Sequence, residues 1–164
     1  MKTVYIVRHA KSTWDNYDVA DHDRTLMPVG IKKTKKIIDF FNSKKVEIDL
    51  IISSSAVRAF ETSKLIAEGI GFDSDKIVRN KALYNAGVED VYNELFSIDN
   101  SVNSVMIVAH NPTLTDFVNE FVVPEIMNLP TTGAVCVSFN TDSWENIVNA
   151  KFSVNFVVFP RMLS

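Results

Sequence analysis

Three short and almost continuously apolar runs restrict the fold of this chain more than any other feature. They span residues 3–7, 49–52 and 105–109. Continuous apolar strands are typical of parallel sheets that helices cover on both faces, whereas a sheet with one wet face shows alternation. The runs therefore predict three buried strands in the middle of an α/β domain.

The segments between and after these runs predict the rest of the architecture. Helical patterns cover residues 28–41, 56–70, 88–98 and 111–122. Pro28 and Pro112 suit the first turn of a helix, and Gly69 and Gly71 are expected to end the second helix. Two late strands are expected at residues 134–139 and 151–159. We predict a three-layer α/β sandwich with a mostly parallel central sheet, late antiparallel strands and no large lid.

Length and composition set the broad class of the protein. Of its 164 residues, 46% are hydrophobic, and we expect one domain over residues 1–164. The net charge of −3 disfavours nonspecific binding to nucleic acid or to a membrane surface. The single cysteine, Cys136, excludes an internal disulfide and is expected to be a buried thiol. With no signal-like or spanning segment, we expect a cytoplasmic monomer.

Each predicted buried strand runs into a cationic or nucleophilic residue. The first ends at Arg8 and His9, the second is followed by Arg58, and the third ends at His110. In open α/β sheets, ligands bind beyond the carboxyl ends of the strands. Each residue alone could be an ordinary polar group that closes a strand. Together they would concentrate positive charge at one edge, which an anionic ligand would balance.

The residue types favour a phosphoryl group as that anion. Arginine presents a planar fork that matches two phosphate oxygens, and an imidazole can attack phosphorus to form a phosphoenzyme. To attack, the imidazole must be neutral, with one nitrogen bare and the other bonded to an acceptor. Two neighbouring arginines should lower the pKa of such a histidine below its usual value of about 6.5.

Three motifs, in order, resemble signatures of the histidine phosphatase superfamily. Residues 7–12, Val-Arg-His-Ala-Lys-Ser, resemble its Arg-His-Gly signature. Residues 54–62 are similar to the second signature, with its Ser, Arg-Ala and Thr, and residues 105–112 to the third. The small branch typified by SixA phosphohistidine phosphatase is indicated by residues 21–30, 82–86 and 131–133. The resemblance spans nearly the whole chain.

The resemblance implies a role for each motif residue. His9 would be the nucleophile, and Arg8, Arg58 and His110 would hold the transferring phosphoryl group. Additional substrate contacts are expected from Arg24, Asn111 and Ser12. No metal ion or other cofactor is expected, and the partner would be a phosphorylated protein or a small phosphorylated substrate.

Two positions depart from the family pattern. Ala10 stands where many relatives carry glycine, and Asn85 stands where they often carry glutamate. The missing glutamate leaves the general acid open, with Asp15, Asp23 and Glu89 as candidates. A weak acid matters less for phosphohistidine, because a protonated imidazole leaves easily, and more for an alkyl phosphate.

Other interpretations of the motifs point to other functions. Residues 21–25 match the Asp-x-Asp-x-Thr pattern of magnesium-dependent phosphatases, but no buried strand is predicted before them, so we interpret them as a loop. A lysine cluster forms either a solvated helix face or a docking patch and comprises Lys32, Lys33, Lys35 and Lys36.

Three functions remain open at this point. Residues 70–82 leave little material for a lid, which favours phosphohistidine in a protein as substrate. The alternatives are a small-molecule phosphomonoesterase or phosphoramidase, and a non-catalytic phosphate-binding module.

Overall fold

The computed structural model describes residues 1–13 and 19–164. A single six-stranded sheet has the order β3-β2-β4-β1-β5-β6. Its strands are β1 (Lys2–Arg8), β2 (Leu50–Ser54), β3 (Val78–Asn80), β4 (Ser104–Ala109), β5 (Ala134–Phe139) and β6 (Phe152–Val158). β1, β2, β3 and β4 are mutually parallel, whereas β5 is antiparallel to both β1 and β6. The predicted mostly parallel sheet with late antiparallel strands is confirmed.

Helices cover both faces of the sheet. They are α1 (Pro28–Ser43), α2 (Val57–Ile70), α3 (Val88–Phe96) and α4 (Thr113–Val118). One core cluster joins Tyr5 and Val7 of β1 to α1 and α2, and the other joins Val4 and Ile6 to α3 and α4. Successive β1 side chains thus enter opposite cores, which is why the strand is apolar throughout. The three-layer sandwich is confirmed.

Several predicted helix boundaries differ from the structure. Pro112 precedes α4, which begins at Thr113, and does not lie in its first turn, and α1 extends to Ser43 rather than ending at residue 41. α3 ends at Phe96, two residues early, and α4 is a short helix that ends at Val118 rather than near residue 122. The Asn119 amide exchanges two hydrogen bonds with the backbone of Ile126, which turns the chain away from the helix axis. Gly69 lies inside α2, where a Cβ would collide with Ile38, and Gly71 at φ +81° ends the helix.

The short edge strand β3 was not predicted, since its three residues are exposed or half-buried and lack an apolar pattern. Cys136 is buried, as expected. Within the described residues, no helix has the length and apolarity that a membrane crossing requires.

Candidate active site

Three parallel neighbours bring their carboxyl ends to one edge of the sheet. β4 lies between β1 and β2, with Arg8 opposite Ala109 and Ser53 opposite Val108. His9 follows β1, His110 follows β4, and Ser54 ends β2, so the three residues lie side by side. The His9 and His110 rings are 5.1 Å apart between centroids.

The start of β5 closes this edge from the other side. The Thr132 N–H donates to the carbonyls of Arg8 and His9, and the Gly133 carbonyl accepts from the Arg8 N–H. Residues 131–133, singled out in the sequence, therefore fix the backbone that carries the first motif.

A cavity of about 510 Å³ opens at this edge. Its lining brings together the four motif residues, further cations and one carboxylate: Arg8, His9, Lys11, Ser12, Asp21, Arg24, Lys33, Arg58, His110, Asn111 and Thr131. The excess of positive charge suits a dianionic phosphoryl group.

The His9 side chain is oriented as a neutral nucleophile requires. Its Nδ1 donates to the Ala10 carbonyl at 2.7 Å, which leaves the lone pair on Nε2, and Nε2 has no hydrogen-bond partner among residues 1–13 and 19–164. Burial lowers the pKa of His9 to about 3, assisted by the charges of His110, Arg58 and Arg8, although the Ala10 hydrogen bond raises it. Burial, rather than the neighbouring arginines that the sequence predicted, is thus the larger cause of the low pKa.

The backbone after His9 is anchored to α2. The Ala10 N–H donates to Thr62 Oγ1 at 2.9 Å, and the Thr62 hydroxyl donates to the Arg58 carbonyl at 2.7 Å. The Ala10 methyl group, where relatives carry glycine, is fully buried within this arrangement. At Gly30, the close approach to the Lys11 backbone leaves no room for a Cβ, so α1 packs directly on the same loop.

His110 is a second neutral imidazole. Its Nε2 lies 2.7 Å from Ser54 Oγ, and its Nδ1 is buried without a hydrogen-bond partner among the described residues. Burial, followed by the charge of Arg58, lowers the pKa of His110 to about 4. Both imidazoles are therefore uncharged at neutral pH, and positive charge in the cavity comes from arginine and lysine.

Arg8 and Arg58 line the cavity, and each has N–H donors that are not hydrogen-bonded to the described residues. Among the described residues, Arg8 donates one hydrogen bond, to the Leu129 carbonyl at 3.1 Å. Arg58 lies in the first turn of α2 and donates to the Asp21 carbonyl at 2.8 Å and to Asp21 Oδ2 at 3.3 Å. The Nε atoms of both arginines are buried and have no hydrogen-bond partner among residues 1–13 and 19–164. Such unmet buried donors are what a bound oxyanion would satisfy.

Asp21 is a site residue to which the sequence motifs assigned no individual role, since it belongs to residues 21–30 and to the Asp-x-Asp-x-Thr pattern. Its carboxylate pairs with Arg58 and with Arg24 Nε at 3.1 Å, and it accepts from the Tyr84 hydroxyl at 2.6 Å. The Tyr84 hydrogen bond, followed by Arg58 and Arg24, lowers the pKa of Asp21 despite partial burial. It is therefore an ionised anchor for the arginines. This role could not be predicted from sequence spacing, because Asp21 and Tyr84 lie 63 positions apart.

The three residues predicted to contact the substrate line the cavity, but they differ in how far their side chains are already hydrogen-bonded within the protein. Ser12 is buried in an isolated bridge with Leu26, and Arg24 also donates to the Thr13 carbonyl at 3.3 Å. The Asn111 amide is already used, since Nδ2 donates to Asn128 and Leu129 and Oδ1 accepts two bonds from Thr115. Its geometry suits holding the loop after His110.

The predicted general acids are not brought to the cavity by the described residues. Asp23 and Glu89 are exposed and line neither this cavity nor its neighbour. Asp15 lies outside the described residues. Within the part of the chain that the structure describes, no group of three or more His, Cys, Asp or Glu side chains could hold a metal ion.

A second cavity of about 310 Å³ adjoins the first through three shared residues, Arg58, His110 and Asn111. Its other walls are mainly apolar and aromatic: Leu83, Tyr84, Asn85, Ala86, Val91, Ala109, Pro112 and Thr113. Asn85 has φ +57°, a left-handed conformation that asparagine tolerates better than most residues. This cavity offers space for the group from which a phosphoryl group departs.

The two depressed histidine pKa values predict a stability change with pH. Because the unfolded histidines titrate near 6.5 and the folded ones at about 3 and about 4, the unfolded chain binds protons first as the pH falls. The contribution of these two histidines to the free energy of unfolding is intact above about pH 6.5 and decreases as the pH falls below that value. At pH 5 the loss should be roughly 1–2 kcal/mol per imidazole. Urea unfolding of wild type and His110→Asn at pH 7 and pH 5 measures this. An equal pH-dependent loss in the two proteins would contradict the prediction.

Comparison with known proteins agrees with the motifs. The sequence model of the histidine phosphatase superfamily (branch 1) matches residues 4–91. An uncharacterised protein of Mycobacterium leprae is 31% identical over 112 residues, which are 66% of this chain and 66% of that protein. An uncharacterised protein of Mycobacterium tuberculosis is 32% identical over 107 residues, 65% of this chain and 64% of that protein. The matches thus span just under two thirds of these relatives.

Solved structures share the whole fold. A protein assigned as phosphohistidine phosphatase SixA from Agrobacterium tumefaciens superposes with a TM-score of 0.80 at 27% identity, over 97% of this chain and 98% of that chain. The protein histidine phosphatase SixA complexed with tungstate gives 0.80 at 22% identity, over 98% of both chains. The family match covers more than half of the chain, and its motifs lie at one sheet edge. The chain belongs to the histidine phosphatase superfamily, branch 1.

Proposed function

We propose that this protein is a metal-independent phosphatase that works through a phosphorylated His9 and acts on phosphohistidine in a protein. The observation that carries the proposal is the His9 ring, which lines a cavity together with Arg8, Arg58 and His110 and whose Nδ1 is hydrogen-bonded to the Ala10 carbonyl. Burial lowers the pKa of His9, which favours the neutral ring that a nucleophile needs. A nucleophile and unpaired cationic donors in one cavity are the elements that phosphoryl transfer needs.

The reaction follows in two displacements. His9 Nε2 attacks phosphorus, the bond from phosphorus to the leaving group breaks, and the electron pair departs with that group. Water then attacks the phosphorus of phospho-His9, the P–Nε2 bond breaks, and inorganic phosphate and neutral His9 are restored. Arg8, Arg58 and His110 would bind the equatorial oxygens, whose charge they stabilise in both transition states.

The absence of a placed acid among the described residues supports a nitrogen leaving group. Asp21 faces the cavity, but its lowered pKa keeps it ionised, and Asp23 and Glu89 lie elsewhere. An alkoxide leaves poorly without a proton, whereas phosphohistidine releases an imidazole that protonates readily from solvent. This balance favours phosphohistidine over sugar or glycerol phosphates.

The rim of the cavity supports a macromolecular substrate. Lys11 and Lys33 are exposed, line the cavity, and lie beyond the residues expected to bind the phosphoryl group. Residues 71–87 contribute two three-residue 3-10 turns and the edge strand β3, which is little material for a cover over the opening. An acidic protein surface around a phosphohistidine would match this rim.

Substrate comparison tests the proposal. Turnover is measured in EDTA on a phosphohistidine protein or peptide, on phosphoramidate, and on sugar and nucleoside phosphates, with trapping of acid-labile phosphoenzyme. We expect the phosphohistidine substrate to have the highest kcat/KM. Preference for phosphoramidate or a sugar phosphate would favour the small-molecule alternative. Failure to form any phosphoenzyme would favour a phosphate-binding module.

Because no general acid is placed among residues 1–13 and 19–164, we expect turnover to depend steeply on the leaving group. We expect kcat/KM for aryl phosphates to fall strongly as the leaving-group pKa rises, with alkyl phosphates the poorest substrates. Asn85→Glu places a carboxylic acid on the wall of the second cavity and should raise alkyl phosphate turnover about tenfold or more. The left-handed backbone at position 85 should cost about 1 kcal/mol of stability with glutamate.

Asn85→Gln is the matched control for this experiment. It has the length and backbone strain of the glutamate variant but no proton to give, so its alkyl phosphate turnover should stay at the wild-type level. If kcat/KM of the wild-type protein does not change with the leaving-group pKa, a general acid is already in place. Single Asp15, Asp23 and Glu89 variants would then identify it.

A further inference from the structure

His110 is held by a serine that the two displacements above do not use. Ser54 ends β2, is fully buried, and places its Oγ 2.7 Å from His110 Nε2. The same oxygen accepts a hydrogen bond from the Ala56 N–H at 3.3 Å. Across residues 1–13 and 19–164, Ser54 Oγ therefore contacts one N–H donor and one ring nitrogen.

Counting hydrogens decides which way the contact between Ser54 and His110 runs. A serine hydroxyl has one hydrogen to donate, and a neutral imidazole carries one hydrogen on its two nitrogens. If Nε2 carried the hydrogen, the buried Ser54 hydroxyl would have no acceptor and Nδ1 would keep an unused lone pair. If Ser54 donates to Nε2, only the Nδ1 hydrogen lacks a partner. The second arrangement leaves fewer buried groups unsatisfied.

The hydrogen on His110 Nδ1 can form a hydrogen bond only when a ligand supplies an acceptor. Nδ1 of His110 is buried and has no partner among the described residues, yet the ring lines the cavity that holds His9 and Arg58. An Nδ1–H would donate to a phosphoryl oxygen there, whereas a bare Nδ1 would direct a lone pair at it and repel it. The tautomer of His110 therefore decides whether this residue binds or repels the phosphoryl group.

We propose that Ser54 is a positioning residue, whose hydroxyl donates to Nε2 of His110, fixes the Nδ1–H tautomer and so makes His110 a donor to the phosphoryl group. The inference rests on the proposed function, because the proposed acceptor is a phosphoryl oxygen. Its structural half, the tautomer, can be measured without turnover.

Long-range proton–nitrogen NMR of ¹⁵N-histidine-labelled protein reads the tautomer directly, and the chain has only three histidines to assign. In wild type we expect His110 to show a protonated, pyrrole-type Nδ1 and a bare, pyridine-type Nε2. Added inorganic phosphate should change the NMR chemical shift of the hydrogen on Nδ1. In Ser54→Ala the tautomers should mix or reverse, the phosphate shift should weaken, and kcat/KM on phosphoramidate should fall about tenfold.

Ser53→Ala is the matched control. Ser53 is the preceding residue of β2, equally buried, and its hydroxyl donates to the Ser54 carbonyl at 2.8 Å without a contact to His110. Its removal deletes a buried hydroxyl of the same size, so any general loosening of β2 appears in both variants. We expect Ser53→Ala to keep the wild-type tautomer and kcat/KM within about twofold, and Ser54→Thr, which retains a hydroxyl, to restore the Nδ1–H signature.

A wild-type His110 with its hydrogen on Nε2 would overturn the proposal, and this needs no variant to fold. An unchanged tautomer and an unchanged kcat/KM in Ser54→Ala would overturn it as well. If wild type shows the expected tautomer and phosphate shift but forms no phosphoenzyme, the proposed catalytic function fails while the role of Ser54 stands.

Discussion

Replacement of His9 with alanine should lower phosphatase turnover by on the order of 10³-fold or more and abolish the phosphoenzyme. His9 supplies the atom that bonds to phosphorus, and the neighbouring cations cannot replace it. They can still stabilise direct attack by water, which leaves a small residual rate. Steady-state kinetics and acid-labile labelling measure the two effects.

The fold should survive this substitution. The His9 side chain makes one hydrogen bond within the described residues, to the Ala10 carbonyl, so its loss should cost about 1 kcal/mol at neutral pH. The matched control is His22→Ala, since His22 lies outside both cavities and should keep turnover and labelling. Full activity of His9→Ala, or labelling that persists in it, would refute the nucleophile assignment.

Much of this site was predictable because it depends on chain direction. Parallel strands place their carboxyl ends at one edge, so the residues after β1, β2 and β4 had to lie near each other once the strands were recognised. The apolar runs identified those strands without any contact information. His9, Arg58 and His110 could thus be proposed together from the sequence.

The parts that escaped prediction depend on contacts between distant loops. Asp21 reaches Arg58 and Tyr84 from a single 3-10 turn with no apolar pattern, and sequence spacing gives no sign of these bonds. The cause of the low His9 pKa was also misjudged, because burial is a property of the packed core rather than of the motif. The short α4 ends through an Asn119 contact that periodicity cannot reveal.

The position of Asp21 matters for the second large prediction, which concerns Arg58. Arg58 donates one hydrogen from each terminal nitrogen to Asp21, which holds the guanidinium plane in place. A guanidinium has five N–H donors, so three are left for phosphoryl oxygens. One side chain can therefore be anchored and bind the ligand at the same time. An ammonium group cannot do this in the same geometry, since it has three donors on a single atom.

Arg58→Lys should therefore lower kcat/KM by on the order of 10²-fold or more, although the charge is kept. If Arg58 makes two hydrogen bonds to the phosphoryl group and these strengthen in the transition state, most of the loss will be in kcat rather than in KM. The matched control is Arg79→Lys, because Arg79 is exposed and donates through Nε and a terminal nitrogen to the Ser55 carbonyl, outside both cavities. Arg79→Lys is the same arginine-to-lysine substitution and should keep kcat/KM within about twofold of the wild-type value. Near-normal turnover of Arg58→Lys would mean that Arg58 acts only as a distant charge and that its fork binds Asp21 alone.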